Sequence, residues 1–191
     1  MSDLIKSIIN ASIEVKQQIV KDEQMIRTIE DVVNKITSAF KNGKKVLFCG
    51  NGGSAADAQH LAAEFSGRFY KNRAALPAEA LHCNTSYLTA VANDYSYDVI
   101  YARLVEGTAV EGDVLIGLST SGNSPNIVKA FEVAREKKVI TIGFTGLTGG
   151  AMKELSDYLF NVPATDTPRI QESHILIGHI ICQLVEEKVF S

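Results

Sequence analysis

The sequence predicts an α/β protein: a three-layer sandwich in which a five-stranded parallel sheet lies between two layers of helices, preceded by an N-terminal helical pair. Three observations predict this fold. Short apolar runs alternate with helical segments, which is the pattern of a parallel sheet covered on both faces. Two of these runs end in glycine- or serine-rich loops that open directly into helices. The first 42 residues precede any strand and have apolar residues at helical spacing.

The N-terminal pair is predicted within residues 3–42, with a break near Lys21 and Asp22. Such an apolar stripe serves equally to cover the chain's own sheet or to pack on another copy. Because 42 residues are more than a covering layer requires, we expect residues 1–42 to be used in oligomerisation. The stripe consists of Leu4, Ile8, Ile9, Ile13, Val15, Ile26, Ile29, Val32, Val33 and Ile36.

The strands follow as short apolar runs separated by helical segments. After the first strand, Asn51 to Ser54 form a glycine turn before a helix that runs through Arg68, which makes half of a βαβ unit. The last helix is predicted to begin at Thr167 and Pro168 and to run to about Phe190, because Pro is favoured in a first helical turn. The predicted strands are 45–50, 78–82, 113–118, 139–144 and 158–162.

Composition indicates one ordinary globular domain spanning residues 1–191, with 46% hydrophobic and 21% charged residues. The net charge of −3 and the pI near 5.8 argue against a nucleic-acid surface, which is normally basic. The three cysteines are widely spaced and form neither a disulfide framework nor a metal motif. No apolar run approaches membrane-spanning length, and the N-terminus lacks signal-peptide character. We therefore expect a cytoplasmic protein without nucleic-acid or membrane partners.

The third strand runs into a loop with four hydroxyl side chains, Ser119, Thr120, Ser121 and Ser124, before a helix begins near Pro125. Free backbone N–H groups and the helix dipole stabilise an anion at such a position. The loop has no lysine and no Walker spacing, which favours a phosphomonoester such as a sugar phosphate over a nucleoside triphosphate. The alternative is that the serines only cap the helix, but capping needs one hydroxyl and four are present.

His60 and Glu64 lie four residues apart on the helix after the glycine turn and therefore share one face. An imidazole and a carboxylate in this arrangement suit a divalent metal or an acid–base pair beside a substrate. A surface hydrogen-bonded pair is the more common explanation of this spacing, but the helix starts where open α/β sheets bind ligands. Asp57 and Gln59 are interpreted as solvated, and Arg68 either contacts phosphate or covers the helix C-terminus.

Three further sites are ambiguous. In the last helix His174 and His179, each taken alone, are expected to be hydrogen-bonded structural residues. Asn93 and Asp94 offer groups suited to sugar hydroxyls, although this dipeptide also favours a turn.

Several motifs along the whole chain carry a family resemblance. They are Cys49-Gly50-Asn51-Gly52-Gly53-Ser54, His60 with Glu64, Gly67-Arg68, Asn93-Asp94, Ser119 to Ser124, and Thr167 to Glu172. Together they resemble the bacterial phosphoheptose isomerases of the sugar isomerase (SIS) domain superfamily. The serine loop alone indicates only the superfamily, whereas the joint presence of His60, Glu64, Gln171 and His179 is much more specific.

The resemblance implies the SIS fold and conversion of D-sedoheptulose 7-phosphate to D-glycero-D-manno-heptose 7-phosphate through an enediol. This is the first step of heptose biosynthesis for lipopolysaccharide or related surface glycans. The resemblance also implies a homotetramer with active sites at subunit interfaces, a catalytic pair of Glu64 and His179, and one zinc per subunit on His60, Glu64, Gln171 and His179. The implied substrate-binding residues are Asn51, Gly52, Gly53, Ser54, Glu64, Asn93, Asp94, Ser119, Thr120, Ser121, Ser124 and Gln171.

The chemistry of the residues agrees with that reaction. Ketose–aldose conversion needs a base and a group that shuttles protons between two oxygens, and Glu64 and His179 suit these roles. Zinc on Glu64 would compete with its action as a free base, and both routes stay open. Gln171 and His179 are eight residues apart, roughly 12 Å along a helix. We therefore expect them to reach a given site from different subunits.

Alternatives to this function are an SIS adaptor that binds the replication initiator, a sugar-phosphate-sensing domain, and another sugar-phosphate isomerase. An adaptor needs neither a base nor a proton shuttle, and sensing domains usually carry an attached domain that this chain lacks. One departure from the family pattern is Pro168, where some relatives have aspartate. Thr167 and Asp166 are candidates to replace that contact.

Overall fold

The computed structural model describes all 191 residues, with a five-stranded, all-parallel sheet as its middle layer. The strands are β1 (Val46–Gly50), β2 (Ala78–Ala80), β3 (Val114–Leu118), β4 (Ile140–Thr145) and β5 (Tyr158–Asn161). The helices are α1 (Ser2–Lys21), α2 (Glu23–Lys41), α3 (Gly53–Ser66), α4 (Thr85–Asp94), α5 (Ile100–Thr108), α6 (Pro125–Glu136) and α7 (Thr167–Val189), with short 3₁₀ helices at Tyr97–Val99 and Gly150–Leu155. The predicted fold class is confirmed, and every predicted strand lies within two residues of its observed bounds.

The two faces of the sheet have separate cores, because side chains alternate along each strand. On one face Phe48 and Ile116 pack with residues of α1, α2, α3 and α7. On the other face Leu47 and Leu115 pack with residues of α4, α5 and α6. Since β1 and β3 are buried on both faces, they read as continuous apolar runs.

The N-terminal pair divides at the predicted position, where Asp22 caps α2 by accepting from the backbone N–H groups of Gln24 and Met25. Helix α2 buries its apolar face in the chain's own core. Helix α1 buries only Val15 and Ile19. Its other face exposes Leu4, Ile5, Ile8, Ile9 and Ile13, each 45% or more exposed. The use of residues 1–42 in oligomerisation stays a prediction; within them, α2 covers the chain's own sheet and the exposed apolar face belongs to α1.

The strand order β2-β1-β3-β4-β5 reverses direction between β1 and β3. Open α/β sheets bind ligands beyond the carboxyl ends of the strands at such a reversal. The loops that leave β1 and β3 therefore flank the expected binding crevice. None of the helices combines the length and apolar character needed to cross a bilayer.

Candidate active site

The loop after β3, residues 119–124, is folded as an anion cradle. Ser119 is 4% exposed, and its Oγ lies 2.8 Å from the Oγ of Ser124. Ser124 is the N-cap residue of α6, yet its side chain makes no capping hydrogen bond. The backbone N–H groups of Thr120, Ser121 and Ser124 donate to no acceptor in the chain. Capping by a serine hydroxyl is thus absent here, and donors remain for a phosphate at the helix N-terminus.

A second loop holds this cradle by close backbone contact. Gly122 has φ of +68°, and a Cβ on it would lie 2.1 Å from the carbonyl oxygen of Gly149. Asn123 accepts the backbone N–H of Ala151 through its Oδ1 at 2.8 Å, and its Nδ2 donates to the carbonyl of Ser121 at 3.1 Å. The cradle conformation therefore depends on glycines where the two loops touch.

The glycine turn after β1 approaches α7 just as closely. Gly52 has φ of +56°, and a Cβ on Gly53 would lie 2.6 Å from Nε2 of Gln171. The same Nε2 lies 3.4 Å from Oγ of Ser54. The start of α3 and the start of α7 thus meet, and Gln171 faces the glycine turn.

An amide pair joins the two loops across the crevice. The side chains of Asn51 and Asn126 exchange two hydrogen bonds of 2.9 Å, and the hydroxyl of Tyr97 donates to Oδ1 of Asn51 at 3.2 Å. Asn126 is 2% exposed at the start of α6. Sequence reasoning identified Asn51 but missed Asn126 and Tyr97, because no local motif marks a partner 75 positions away.

The histidine–glutamate cluster, His60, Glu64 and His179, forms where α3 and α7 run side by side. Nε2 of His60 lies 3.0 Å from Nε2 of His179 and 3.1 Å from Oε1 of Glu64. Donor atoms of all three residues lie within 4.8 Å of one another. His60 is exposed, whereas Glu64 and His179 are half-buried. The structure therefore brings the predicted catalytic pair together in one chain.

The donor set of this cluster fits zinc. Two imidazole nitrogens and one carboxylate oxygen are the ligands of a known class of catalytic zinc sites that leave a fourth position open. Ligands on a tetrahedral ion with bonds of about 2 Å lie about 3.3 Å apart, close to the separations here. The chemistry and spacing of the three side chains thus suit a metal that also contacts a substrate.

Gln171, the fourth predicted ligand, lies elsewhere in the same chain. It sits against Gly53 and Ser54 at the first turn of α3, whereas His179 meets His60 two turns further along. Helices α3 and α7 run parallel to each other. Gln171 and His179 are therefore separated by roughly 12 Å along α7 and contact different turns of α3. The expectation that Gln171 and His179 serve one site from different subunits stays a prediction.

The remaining candidates are placed as follows. Asn93 and Asp94 are exposed at the end of α4, and Nδ2 of Asn93 donates to Oδ1 of Asp94 at 2.9 Å. His174 is fully buried against the carbonyl of Thr145, as expected of a structural histidine. Asp57 differs from its interpretation as solvated: it is half-buried, and burial raises the pKa of its carboxyl.

Arg68 does not cover the C-terminus of α3. Its guanidinium is exposed and contacts only the carbonyl of Phe69. Arg73, which sequence reasoning did not single out, donates instead to the carbonyls of Glu64 and Phe65 in the last turn of that helix. The sequence does show a second arginine a few residues beyond the helix. Its side-chain partner, Glu186, is distant in the sequence, so no local pattern gave a reason to choose it.

Comparisons with known proteins identify the family of this chain. The chain matches the SIS domain family over residues 9–146. It is 55% identical over 190 residues to the phosphoheptose isomerase of Aneurinibacillus thermoaerophilus, covering 100% of this chain and 96% of that one. It is 54% identical to phosphoheptose isomerase 2 of Campylobacter jejuni, covering 100% and 94%.

A solved structure shows the same fold throughout. The phosphoheptose isomerase GmhA of Neisseria gonorrhoeae superposes with a TM-score of 0.91 at 39% identity, covering 97% of this chain and 98% of that one. The chain therefore belongs to the phosphoheptose isomerase family of SIS-domain enzymes.

Proposed function

We propose that this protein is an aldose–ketose isomerase that converts D-sedoheptulose 7-phosphate to D-glycero-D-manno-heptose 7-phosphate. The reaction would be the first step of heptose biosynthesis for lipopolysaccharide or related surface glycans. The observation that carries the proposal is a serine loop with free N–H and hydroxyl donors, together with a carboxylate and an imidazole that converge between α3 and α7, in a chain 55% identical to a phosphoheptose isomerase. The cradle would hold the phosphate while the cluster acts at the carbonyl end.

Glu64 is the proposed base and His179 the proposed proton shuttle. Glu64 takes a proton from C1 of the ketose, which gives the enediol, and returns it to C2. His179 carries a proton from the hydroxyl on C1 to the oxygen on C2, so that the aldehyde forms at C1. Support comes from the convergence of donor atoms within 4.8 Å. Oε1 of Glu64 faces His60, and the other carboxylate oxygen makes no hydrogen bond in the chain.

Zinc is the proposed cofactor, one per subunit, held by His60, Glu64 and His179 with Gln171 as a fourth ligand. When bound there, zinc supplies a Lewis acid that polarises the carbonyl and stabilises negative charge on the oxygens. The carboxylate of Glu64 has two oxygens, which allows one to face the metal and the other to face C1. This arrangement would reconcile the two roles expected of Glu64.

Substrate is proposed to contact both loops and the end of α4. Hydroxyls and N–H groups of residues 119–124 bind the phosphate, and the amides and carboxylates elsewhere bind sugar hydroxyls. The proposed binding residues are Asn51, Gly52, Gly53, Ser54, Glu64, Asn93, Asp94, Ser119, Thr120, Ser121, Ser124 and Gln171.

The function is tested by incubating purified protein with sedoheptulose 7-phosphate, with and without a chelator, and following the aldose product. We expect product from the untreated protein, loss of turnover with chelator, and recovery when zinc is added back. The Glu64→Gln variant is the negative control. Absence of aldose in the zinc-replete sample would overturn the proposal, and turnover unaffected by chelation would remove zinc from it.

The assembly is proposed to be a homotetramer with active sites at subunit interfaces, and α1 is the proposed contact. The support is the exposed apolar face of α1. Its apolar residues are contiguous, whereas exposed apolar residues on a monomer's surface are usually scattered singly. Light scattering of an Ile8→Glu/Ile13→Glu variant should show smaller particles than the parent. Val110→Glu changes an equally exposed apolar residue outside α1 and should leave the particle mass unchanged.

The supply of Gln171 and His179 by different subunits is tested by mixing two inactive variants. Subunits of Gln171→Ala and His179→Ala are dissociated, mixed and reassembled. If the two residues come from different subunits, some sites in the mixture are intact and activity returns. Mixtures as inactive as either variant alone would place both residues of a site in one subunit.

The whole chain, residues 1–191, is proposed to act as a single SIS domain in the cytoplasm. Its sheet carries the site, and the N-terminal helices extend the layer that covers one face. The cysteines Cys49, Cys83 and Cys182 are all free thiols, which supports a reducing compartment.

A further inference from the structure

The segment between α3 and β2, residues 67–77, has no regular secondary structure, but it is hydrogen-bonded to a carboxylate of α7. Glu186 accepts three successive backbone N–H groups, from Phe69 at 3.0 Å, Tyr70 at 2.7 Å and Lys71 at 2.8 Å. It also accepts Nε of Arg73 at 2.9 Å. The carboxylate of Glu186 therefore accepts backbone N–H groups that would pair with carbonyl groups in a strand or helix.

Arg73 connects the same carboxylate to the end of α3. Its remaining N–H groups donate to the carbonyls of Glu64 at 2.8 Å, Phe65 at 2.7 Å and Gly67 at 3.1 Å. The last carbonyls of a helix lack partners within the helix, and a cation is favoured at that end. Arg73 thus caps the helical turn that bears Glu64.

The pair of Arg73 and Glu186 is buried, with each side chain 2% exposed. Burial alone would raise the pKa of Glu186, but the three backbone N–H groups and Arg73 outweigh it and lower that pKa to about 2. A buried ion pair is retained at low cost only when its hydrogen-bonding capacity is filled, as it is here. Removing one partner would leave the other charge unpaired.

The pair lies beyond the groups proposed to react, towards the C-terminal ends of the two helices that bear them. Arg73 bonds the backbone of Glu64 itself, and Glu186 lies seven residues after His179 on α7. The segment that Glu186 pins also places the ring of Phe69 5.7 Å from the ring of His179. We infer that Arg73 and Glu186 are positioning residues for the isomerase reaction: they hold Glu64 on α3 and His179 on α7 at their working separation. This inference rests on the proposed roles of Glu64 and His179.

A comparable carboxylate anchor that does not bond α3 or α7 provides a matched control. Asp113 is 1% exposed and accepts the backbone N–H groups of Lys45 and Val110 together with the ammonium of Lys45. Its partners Lys45 and Val110 belong to neither α3 nor α7. Glu186→Gln and Asp113→Asn therefore remove similar anchors, one tied to the helices that bear Glu64 and His179 and one tied to other segments.

The experiment measures kcat, KM, the affinity of the apo protein for zinc, and Tm for Glu186→Gln, Arg73→Lys and Asp113→Asn. Assays run well below each Tm. We expect both site variants to lose about tenfold or more in kcat, with KM changed by less than about threefold, and to bind zinc more weakly. Asp113→Asn should lower Tm but leave kcat and zinc affinity unchanged.

A combination of variants separates positioning from general damage. If Arg73 acts through Glu64, adding Arg73→Lys to Glu64→Gln should reduce the residual kcat by less than about twofold. Arg73→Lys keeps the charge beside Glu186, so it serves where Glu186→Gln fails to fold. Unchanged kcat in Arg73→Lys, or an equal loss in Asp113→Asn, would overturn the inference. Near-normal kcat in Glu64→Gln would instead contradict the proposed role of Glu64.

Discussion

The serine loop and the histidine–glutamate cluster draw on different parts of the chain. The loop consists of six consecutive residues, 119–124, and its donors are backbone N–H groups and short hydroxyls. The cluster joins side chains 119 positions apart and exists only because α3 and α7 pack in parallel. The binding end is therefore sensitive to backbone conformation, and the reacting end to individual side chains and helix packing.

The largest expected effect is at the reacting end. Glu64→Gln keeps the size of the side chain but removes the base, so kcat should fall about 10²–10⁴-fold. Binding of sugar phosphate should persist, because the cradle is built from other residues. Steady-state kinetics and calorimetric titration with the substrate measure the two quantities. Glu111→Gln, which changes a remote exposed carboxylate, is the control. An active Glu64→Gln protein would remove this residue from the chemistry.

The next largest effect is a backbone change at the binding end. Gly122→Ala places a methyl 2.1 Å from a carbonyl oxygen of the supporting loop, in addition to the strain at φ of +68°. The loops must separate, so KM should rise by about 10²-fold or more as several phosphate contacts are lost. Gly43→Ala has the same φ but no atom within 4 Å, and it should cost only about 1–2 kcal/mol of stability. Equal KM values in the Gly122→Ala and Gly43→Ala variants would contradict the dependence of substrate binding on the contact between the two loops.

A smaller effect is expected from the hydroxyls alone. In Ser121→Ala/Ser124→Ala the backbone N–H donors remain, and each lost hydroxyl is already shared with Asn123 or Ser119. A net loss of about 1 kcal/mol for each hydroxyl, about 2 kcal/mol for both, predicts a rise in KM of roughly 30-fold, with kcat nearly unchanged. Kinetics on the double variant test this expectation. A fall in kcat without a change in KM would show that these serines do not bind the phosphate.

The smallest effect on activity is expected at His174, which links α7 to the end of β4. It lies on α7 with His179, and its Nε2 contacts the carbonyl of Thr145 at the end of β4 at 3.1 Å, while its buried Nδ1 has no partner. Burial lowers the pKa of His174 to about 4. The unfolded chain therefore takes up this proton first as pH falls from about 6.5 towards 4, and up to about 3 kcal/mol of stability is lost in that window.

Denaturant unfolding of the parent protein and His174→Gln between pH 4 and 7 measures that loss. The parent should be the more stable near pH 7, and its advantage should shrink by about 3 kcal/mol at pH 4. Glu186 titrates below this window, because its pKa is about 2 in the folded protein, and its stabilisation is lost only as pH falls below about 4.3. A difference in stability that does not change with pH would contradict the assignment to His174. At neutral pH kcat should stay near that of the parent.

Sequence reasoning succeeded where a structural element is encoded locally. The strand–loop–helix units, the cradle hydroxyls and the glycine turn were all predicted, because each depends on neighbouring residues. The spacing of His60 and Glu64 also placed both on one helical face. It was less successful where a polar group finds its partner across the fold, as with Asn126 beside Asn51 and Arg73 beside Glu186.

By itself, the sequence determined the parallel sheet, its covering helices and the serine-rich loop before α6, because strand hydrophobicity, helix periodicity and turn chemistry act over a few residues. Only the tertiary structure decided that α2 joins the chain's own core while α1 keeps an apolar face exposed, since both helices have the same kind of stripe. It also decided that His179 meets His60 and Glu64 while Gln171 remains at the glycine turn. The second outcome depends on the register between α3 and α7, where close packing at Gly53 and Gly178, rather than local propensity, brings the helices together.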